Sequence, residues 1–336
     1  MKFFNKSQSL KQRELQARQA GSPARPPAED AAEGAYTSLE ALVAMRSRAR
    51  GFSYLPRQPV HSLLAGRHAS RLRGRGLNFE EIRRYQAGDD IRQIDWKITA
   101  RTRKTHSRVY TEERERTTLL LVDQRAAMFF GSVKRMKSVT AAEAAALAAW
   151  RVLEQQDRVG ALVFNDTDIV EIRPQRSRNA VMRILQAIVS QNRALTIDSC
   201  SGSNPAMLNE VLRRCDQLAK HDCLINVISD CSGQDEESRR LLNRIAAHND
   251  LLFGFVHDAL EAELPTAGPL VFAGGTEQLE VDTGQRGLRD RYRDEFADTR
   301  ADGRRFLLHR QIPVIPLNTA EDVAEQVRRR IGALHR

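Results

Sequence analysis

The sequence predicts an α/β protein built on a doubly wound, mainly parallel sheet, preceded by an irregular basic N-terminal module. Two observations predict the sheet. Short, continuous apolar runs alternate with helical patterns after residue 117, and two of those runs end in aspartate. Apolar runs without polar alternation are typical of strands that are buried on both faces of a parallel sheet. A third observation, the uneven placement of charge, distinguishes the N-terminal third of the chain.

The net charge is +10, and the whole excess lies in the N-terminal third. Residues 1–117 hold 24 lysines and arginines against 13 acidic residues, a balance of +11, whereas the other 219 residues hold 29 against 30, a balance of −1. Such an imbalance indicates binding partners rather than fold. We therefore expect the N-terminal third to contact an acidic group on nucleic acid, on another protein or in the rest of the chain.

The N-terminal third divides into a tail and the basic module. Residues 1–35 are poor in bulky apolar side chains and rich in Pro, Ala and Glu, which predicts a disordered tail. Thr37 and Glu40 match a capping box, which predicts that a helix begins at Thr37. Residues 36–117 are predicted to form the basic module and to pack on the sheet domain, with short strand-like pieces such as 105–111.

The sheet domain is predicted to span residues 118–336. Its buried strands are predicted from apolar runs at 118–123, 158–164, 223–230 and 251–257. A turn at 165–168 predicts a partner strand at 168–173, and shorter strands are predicted at 279–282 and 312–317. Helical patterns occupy residues 140–154 (with Thr140 as the cap), 179–192, 207–220, 238–247, 288–299 and 320–334.

Composition excludes several classes of protein. The sequence has no run of 18 apolar residues, so we expect no transmembrane helix, and its first residues, MKFFNKSQSLKQRELQ, lack the apolar segment of a signal peptide. The four cysteines show neither a CxxC pair nor zinc-site spacing; they are Cys200, Cys215, Cys223 and Cys231. This usage predicts a reduced, cytoplasmic protein.

Two predicted strands end in aspartate at the same edge of the sheet, Asp123 and Asp230. Ligands of open α/β sheets bind at the carboxyl ends of the strands. Two carboxylates that converge there could hold a hard cation such as Mg²⁺. They could equally cap the turns that follow the strands. The residues alone leave both alternatives open.

Motifs of the common enzyme classes are absent from the sequence. It contains no GxxxxGK[ST], HExxH, GxSxG or CxxC motif, and no two of its eight histidines are four residues apart. We therefore expect no catalytic residues, no cofactor and no enzymatic activity.

Arginines alternate with aromatic residues in the segment 67–104. One interpretation is a nucleic-acid interface, in which cations contact phosphates and aromatic rings stack on bases. The other interpretation is internal, because acidic residues in the same segment could pair with the arginines while the aromatic side chains form a small core. The acidic residues are Glu80, Glu81, Asp89, Asp90 and Asp95, and the aromatic residues are Phe79, Tyr85 and Trp96.

The run RGRGLNFEEIRRYQAGDDIRQIDWK at 73–97 resembles the signature of the family called domain of unknown function 58. The resemblance continues into the following strands, over roughly residues 66–260. The signature positions are Arg73, Gly74, Gly76, Phe79, Arg83, Tyr85, Gly88, Asp89, Asp90, Arg92, Asp95 and Trp96. The resemblance implies a bacterial protein that acts as adaptor or co-chaperone of a MoxR-type AAA+ ATPase, and it favours the internal interpretation of the Arg-rich segment.

Residues 118–282 also resemble a von Willebrand factor A (vWA) domain. The metal-ion-dependent adhesion site (MIDAS) of that family has the pattern Asp-x-Ser-x-Ser, then a threonine, then an aspartate. Asp123 and Asp230 match the two aspartates, but Arg125 and Ala127 stand where the serines belong. We therefore expect a degenerate, metal-free site in which Arg125 pairs with one or both aspartates, the alternative being that Arg125 points to solvent.

These observations support two hypotheses about function. The first is a non-enzymatic protein-interaction module whose partner-binding rim comprises Asp123, Arg125, Ser201, Ser203 and Asp230, with a MoxR-type ATPase as the partner. In this hypothesis, Arg125 itself meets an acidic group of the partner. The second is a nucleic-acid-binding protein that uses the Arg-rich segment 67–104.

Overall fold

A computed structural model describes residues 34–49, 77–86, 89–112, 116–196, 204–274, 277–294 and 312–334. Its strands are β1 (Leu77–Arg84), β2 (His106–Glu112), β3 (Thr117–Asp123), β4 (Arg158–Phe164), β5 (Ile169–Gln175), β6 (Cys223–Ser229), β7 (Asp250–His257), β8 (Pro269–Gly274), β9 (Glu277–Asp282) and β10 (Val314–Asn318). Its helices are α1 (Leu39–Arg48), α2 (Trp96–Thr102), α3 (Lys137–Glu154), α4 (Arg178–Arg193), α5 (Met207–Leu218), α6 (Glu236–Ala246), α7 (Ala259–Ala262), α8 (286–294) and α9 (Val323–Leu334).

Six of these strands form the central sheet, in the order β10-β7-β6-β3-β4-β5. All neighbours pair in parallel except β4 and β5, which are antiparallel. The predicted turn between these two strands is built by Asn165, whose side-chain oxygen accepts hydrogen bonds from the backbone N–H groups of Thr167 and Asp168. The predicted α/β class and mainly parallel sheet are therefore confirmed.

Helices cover both faces of the sheet, as the continuous apolar strands require. Successive side chains of a strand point to opposite faces. Leu120 and Val122 of β3 accordingly pack among residues of α1, α3, α4 and α9, whereas Leu119 and Leu121 pack among residues of α5 and α6. The alanine-rich α3 lies within the first of these cores, where its small side chains permit close contact with the strands.

Helix α1 packs within the core of the sheet domain, although its sequence position placed it in the basic module. Leu42 and Met45 are buried in the same core as α3, and Trp150 Nε1 donates a hydrogen bond to the carbonyl of Leu42 at 3.1 Å. The predicted cap was wrong by one residue. Ser38 caps the helix by accepting from the backbone of Ala41, while Thr37 donates its backbone N–H to Asn192 Oδ1 at 2.8 Å.

Several predicted boundaries need correction. Helix α3 begins at Lys137, three residues before the predicted cap Thr140, whose hydroxyl donates to the carbonyl of Met136. Helix α8 begins at residue 286, and residues 295–299 of the predicted helix lie outside the described part of the chain. The predicted tail also lies outside it, except for residues 34–35.

Two hairpins stand apart from the central sheet. Strands β1 and β2 pair with each other, and β8 pairs with β9, both antiparallel. The predicted strand-like piece at 105–111 corresponds to β2, whereas β1, β8 and α2 were not predicted. Within the described residues, β1 and β2 form no ladder with the central sheet.

Each edge strand of the central sheet contains a proline, Pro174 in β5 and Pro316 in β10. Pro174 lies where the pairing of β4 with β5 becomes irregular, opposite Gly160. A Cβ added to Gly160 would lie 2.6 Å from the carbonyl oxygen of Ile172 and 2.7 Å from the nitrogen of Pro174. The absence of a side chain at residue 160 is therefore what permits this close approach of the two strands.

Replacing Gly160 with alanine is expected to lower the free energy of unfolding by about 2–3 kcal/mol, because backbone atoms must move to admit the new methyl group. The control is Gly287→Ala in α8, where an added Cβ meets no atom within 4 Å. That change should be neutral or stabilise by up to about 1 kcal/mol. Urea denaturation of both variants measures the difference, and equal stabilities would contradict the proposed steric role of Gly160.

Candidate functional site

The carboxyl ends of the parallel strands gather a set of loops at one edge of the sheet. We call this edge the rim; it comprises residues 124–136 after β3, 165–168 after β4, 230–235 after β6 and 204–206 before α5. Open α/β sheets bind their ligands at this edge. The predicted residues Asp123, Arg125 and Asp230 lie here, whereas Ser201 and Ser203 lie outside the described residues.

Arg125 and Asp123 form a buried ion pair at the centre of the rim. The Nε and Nη2 atoms of Arg125 donate to the two carboxylate oxygens of Asp123 at 3.0 and 2.7 Å. Asp123 also accepts a hydrogen bond from Ser229 Oγ at 2.6 Å and from the backbone N–H of Arg125 at 3.0 Å. Two-point pairing of a guanidinium with a carboxylate is the strongest geometry that an ion pair can adopt.

The guanidinium of Arg125 also holds two neighbouring loops. Its Nη2 donates to the carbonyl of Ser232 at 3.0 Å, its Nη1 lies 3.5 Å from the carbonyl of Pro205, and its Cζ lies 5.6 Å from the centre of the Phe164 ring. Burial by itself lowers the pKa of Arg125, but the charge and hydrogen bonds of Asp123 outweigh it and raise the pKa above its ordinary value. Arg125 therefore stays charged and joins three segments of the rim.

The burial of Arg125 corrects one sequence-based expectation. Its side chain is 2% exposed, and the side chains of Asp123 and Asp230 are also buried. These three residues consequently offer no surface that a partner could contact. Their contacts within the rim hold its loops in place.

Lys137 supplies a second buried cation, which sequence reasoning missed. Its Nζ donates to Asp230 at 2.7 Å and to Glu261 at 2.6 Å, and it lies 5.9 Å from the centre of the Phe130 ring. Burial lowers the pKa of Lys137, but the attraction of Asp230 and Glu261 is larger, so the pKa lies above its ordinary value. No local signal pointed to this lysine, because the predicted helix began at Thr140 and left Lys137 outside it.

The described rim does not fit a divalent cation. Asp123 is occupied by Arg125 and Ser229, while Asp230 is occupied by Lys137 and by the backbone N–H of Ser232. Two cationic side chains thus stand beside the carboxylates that would ligate a metal. No three His, Cys, Asp or Glu side chains among the described residues are placed to hold a metal ion.

The loop after β6 adopts an unusual backbone. Cys231 and Gly233 have φ angles of 62° and 79°, in the left-handed region that disfavours most side chains. A Cβ on Gly233 would lie 2.5 Å from the Cβ of Pro205, so this loop packs tightly on the segment before α5. Burial and the negative charges of Asp230 and Asp123 raise the pKa of Cys231, which makes this thiol a poor nucleophile.

Carboxylates hold the remaining rim loops in place. Asp166 accepts hydrogen bonds from the backbone N–H groups of Ala126 and Asn204, at 2.6 and 2.7 Å. Asp258, just after β7, accepts from the backbone and hydroxyl of Ser132 and from the hydroxyl of Thr319. Burial raises the pKa of Asp258, but these hydrogen bonds outweigh it and lower the pKa below its ordinary value.

Exposed side chains surround this buried framework. The most exposed large apolar residue of the rim is Val133, at 71%, followed in sequence by the exposed Lys134. Asn204 and Ser232 are exposed on the neighbouring segments. The arrangement is a set of exposed loops above buried, paired charges.

A sequence model described as "Protein of unknown function DUF58" matches residues 81–302. The chain belongs to the DUF58 family. This confirms the predicted family, although the match begins at residue 81, within the segment 73–97 that suggested it. Uncharacterized proteins from Mycobacterium tuberculosis and Mycobacterium bovis are each 31% identical to the chain over 287 residues, which cover 83% of this chain and 87% of the relative.

The structural comparison is more distant. A conserved hypothetical protein, BatB from Bacteroides thetaiotaomicron, aligns with a TM-score of 0.39 and 11% identity, over 65% of this chain and 98% of that one. A likeness at this TM-score does not support a shared fold. In the part of the DUF58 chain that the structure describes, none of the helices has the length and apolar character needed to cross a membrane.

The acidic residues of the DUF58 signature are largely used inside the hairpin module, which is formed by β1, β2 and α2. Asp89 pairs with Arg83 at 2.7 Å. Asp95 caps α2 by accepting from the backbones of Lys97 and Ile98, and it pairs with Arg108 at 2.8 Å. The internal interpretation of these carboxylates therefore fits the geometry.

Other signature residues are placed differently. Trp96 is 69% exposed, so it does not belong to the small aromatic core that the internal interpretation predicted. Asp90 caps the turn 91–93 by accepting from the backbone of Arg92. The side chain of Phe79 lies outside the described residues, as do Arg73, Gly74, Gly76 and Gly88.

Proposed function

We propose that this DUF58 protein is a non-enzymatic protein-interaction module, and that it acts as adaptor or co-chaperone of a MoxR-type AAA+ ATPase. The observation that carries the proposal is the buried pairing of Arg125 with Asp123 beneath exposed loops of the rim. The buried pair holds the loops in one arrangement that a partner can bind. Because Arg125 and Asp123 are fully engaged with each other, neither is available as a catalytic acid, base or nucleophile. The choice of ATPase is supported by the resemblance of the segment 73–97 to the family signature.

The proposal includes a vWA-type sheet domain with a degenerate MIDAS. It is supported by the placement of Asp123 and Asp230 at the carboxyl edge of two neighbouring parallel strands. Arg125 stands where that pattern has its first serine, and Lys137 supplies a second cation beside Asp230. Two protein cations in this position favour partner binding that needs no divalent ion at the rim.

The proposal also includes the organisation and location of the chain. We propose that the hairpin module is a unit distinct from the sheet domain, and that α1 belongs to the latter. The packing of Leu42 and Met45 in the core supports this assignment of α1. The absence of enzyme motifs from the full sequence supports a non-enzymatic role, and its cysteine usage supports a cytoplasmic location.

A binding measurement with purified components tests the function. The protein and the MoxR-type ATPase of the same genome are mixed with ATP and Mg²⁺, and the dissociation constant is measured by interferometry. We expect saturable binding, and we expect Val133→Asp or Lys134→Glu to raise the dissociation constant at least about tenfold, because each adds negative charge to the exposed rim.

The matched control lies at the opposite end of the sheet. Lys220 is exposed and precedes β6, so it is near the amino ends of the strands. Lys220→Glu makes the same change of charge as Lys134→Glu. It should leave the dissociation constant within about twofold of wild type. Absence of binding by the wild-type protein would reject the proposed partner, and an equal loss in all three variants would reject the rim as the contact surface.

A further inference from the structure

The hairpin module exposes an apolar cluster that the proposed function does not use. Ile91 and Trp96 are 67% and 69% exposed, and Ala100 is also exposed. Trp96 and Ala100 are four residues apart in α2, so they lie on the same face of the helix. A large exposed aromatic side chain beside other apolar groups is a common sign of an interaction surface.

Cationic side chains adjoin this cluster. Lys97 and Arg101, also four residues apart in α2, form an exposed row next to that of Trp96 and Ala100, and Arg92 is exposed on the preceding turn. We call Ile91, Arg92, Trp96, Lys97, Ala100 and Arg101 the Trp96 face. An apolar centre with a charged periphery is the usual anatomy of a protein interface.

Cations outnumber acidic groups among the described side chains of the module, which lie within residues 82–108. Residues 82–108 contain eight lysines and arginines and three aspartates. Two of the aspartates are paired with Arg83 and Arg108, which do not belong to the Trp96 face. This leaves six cations and one exposed acidic residue, Asp90; the six are Arg84, Arg92, Lys97, Arg101, Arg103 and Lys104.

We infer that the Trp96 face binds an acidic segment of a partner protein, and that this segment inserts a large apolar side chain beside Trp96. Charge complementarity selects an acidic occupant, and Ala100 on the same helix face as Trp96 favours an apolar side chain over a nucleobase. Grooves for single-stranded nucleic acid stack successive bases on several aromatic rings. Here Tyr85 is half-buried, and Trp96 is the exposed aromatic residue among the described side chains of the module.

This surface lies on a different unit from the rim and does not depend on the ATPase. A variant can therefore lose binding at the Trp96 face while it keeps binding at the rim, and the reverse. Acidic residues are expected to set the association rate and its salt dependence, while the apolar side chain supplies most of the affinity.

A displayed library of random peptides tests the inference without a known partner. The full-length protein is the target, and Lys97→Glu/Arg101→Glu is used for counter-selection. We expect enrichment of peptides that combine Asp or Glu with Leu, Phe or Trp, and at least about tenfold weaker binding of a selected peptide to the double variant. Arg240→Glu/Arg244→Glu on α6 is the control, because it reverses two exposed arginines at the same spacing.

Tryptophan fluorescence provides a second readout. The chain has two tryptophans, and Trp150 is only 1% exposed, so a shift in emission on binding reports on Trp96. The selected peptide should shift the emission of wild type to shorter wavelength, and Trp96→Phe should abolish the shift. Thermal melting checks that every variant is folded.

Three results would overturn the inference. The first is a library that enriches no acidic, apolar peptides dependent on Lys97 and Arg101. The second is a shift of Trp96 emission with a 20-nucleotide oligo(dT) but not with any selected peptide, which would assign the face to nucleic acid. The third is self-association in sedimentation that Trp96→Ala removes, which would assign it to a second copy of the chain.

Discussion

Replacing Arg125 with methionine is expected to lower the free energy of unfolding by about 3–5 kcal/mol, which is a large part of the stability of an ordinary domain. Methionine fills much of the same space but leaves the carboxylate of Asp123 buried without its cation. The carbonyls of Ser232 and Pro205 also lose their donor. Urea denaturation at neutral pH measures the loss.

Two further variants separate the charge effect from packing. Asp123→Asn/Arg125→Met removes the unpaired charge while keeping an acceptor for Ser229, so it should recover about 1–3 kcal/mol of the loss. Arg240→Met is the exposed control, since its Nε lies 3.7 Å from Glu236 at the surface, and it should cost less than about 1 kcal/mol. A cost for Arg125→Met as small as that of the control would contradict the role given to the buried pair.

Replacing Trp150 with alanine is the second change of large expected effect, with a loss of about 3–5 kcal/mol. Trp150 is fully buried in α3, and its indole N–H holds the carbonyl of Leu42 in α1. The change therefore opens a cavity and also removes one of the contacts that hold α1 on the sheet domain. Urea denaturation measures the stability, and limited proteolysis within 39–48 measures the release of α1.

The two tryptophans of the chain provide matched controls. Trp150→Phe keeps most of the ring and should cost about 1–2 kcal/mol, largely from the lost hydrogen bond. Trp96→Ala removes an exposed side chain and should change stability by less than about 1 kcal/mol. If Trp96→Ala were the more damaging change, the assignment of Trp150 to the core and Trp96 to the surface would be wrong.

The central sheet was well predicted because each of its buried strands can be recognised from its own residues. The apolar runs of β3, β4 and β6 are continuous, and burial on both faces explains why. Strand β1 was missed because its sequence, LNFEEIRR, is polar and its partner β2 lies more than 20 residues away. Cap positions were also wrong, since Thr37 and Thr140 are good cap residues whose tertiary contacts place them elsewhere.

The candidate site was predicted only in part. Asp123 and Asp230 could be found because each ends an apolar run of the sequence, and Arg125 because it replaces an expected serine. Lys137 could not be linked to its partners, because Asp230 and Glu261 follow it by 93 and 124 residues. Contacts of this range are set by the order of strands in the sheet, which local sequence patterns do not contain.

The prolines at the two edges of the central sheet limit how the protein can assemble. Pro316 cannot donate a backbone hydrogen bond, and Pro174 distorts β5 at its bulge, so neither edge offers a regular ladder to an incoming strand. Strand addition, a frequent route to fibres and to capture of extended peptides, is therefore disfavoured at both ends. In a crowded cell, copies of the central sheet are therefore not expected to join through their edge strands, and contacts between central sheets are expected to use their loops and helices.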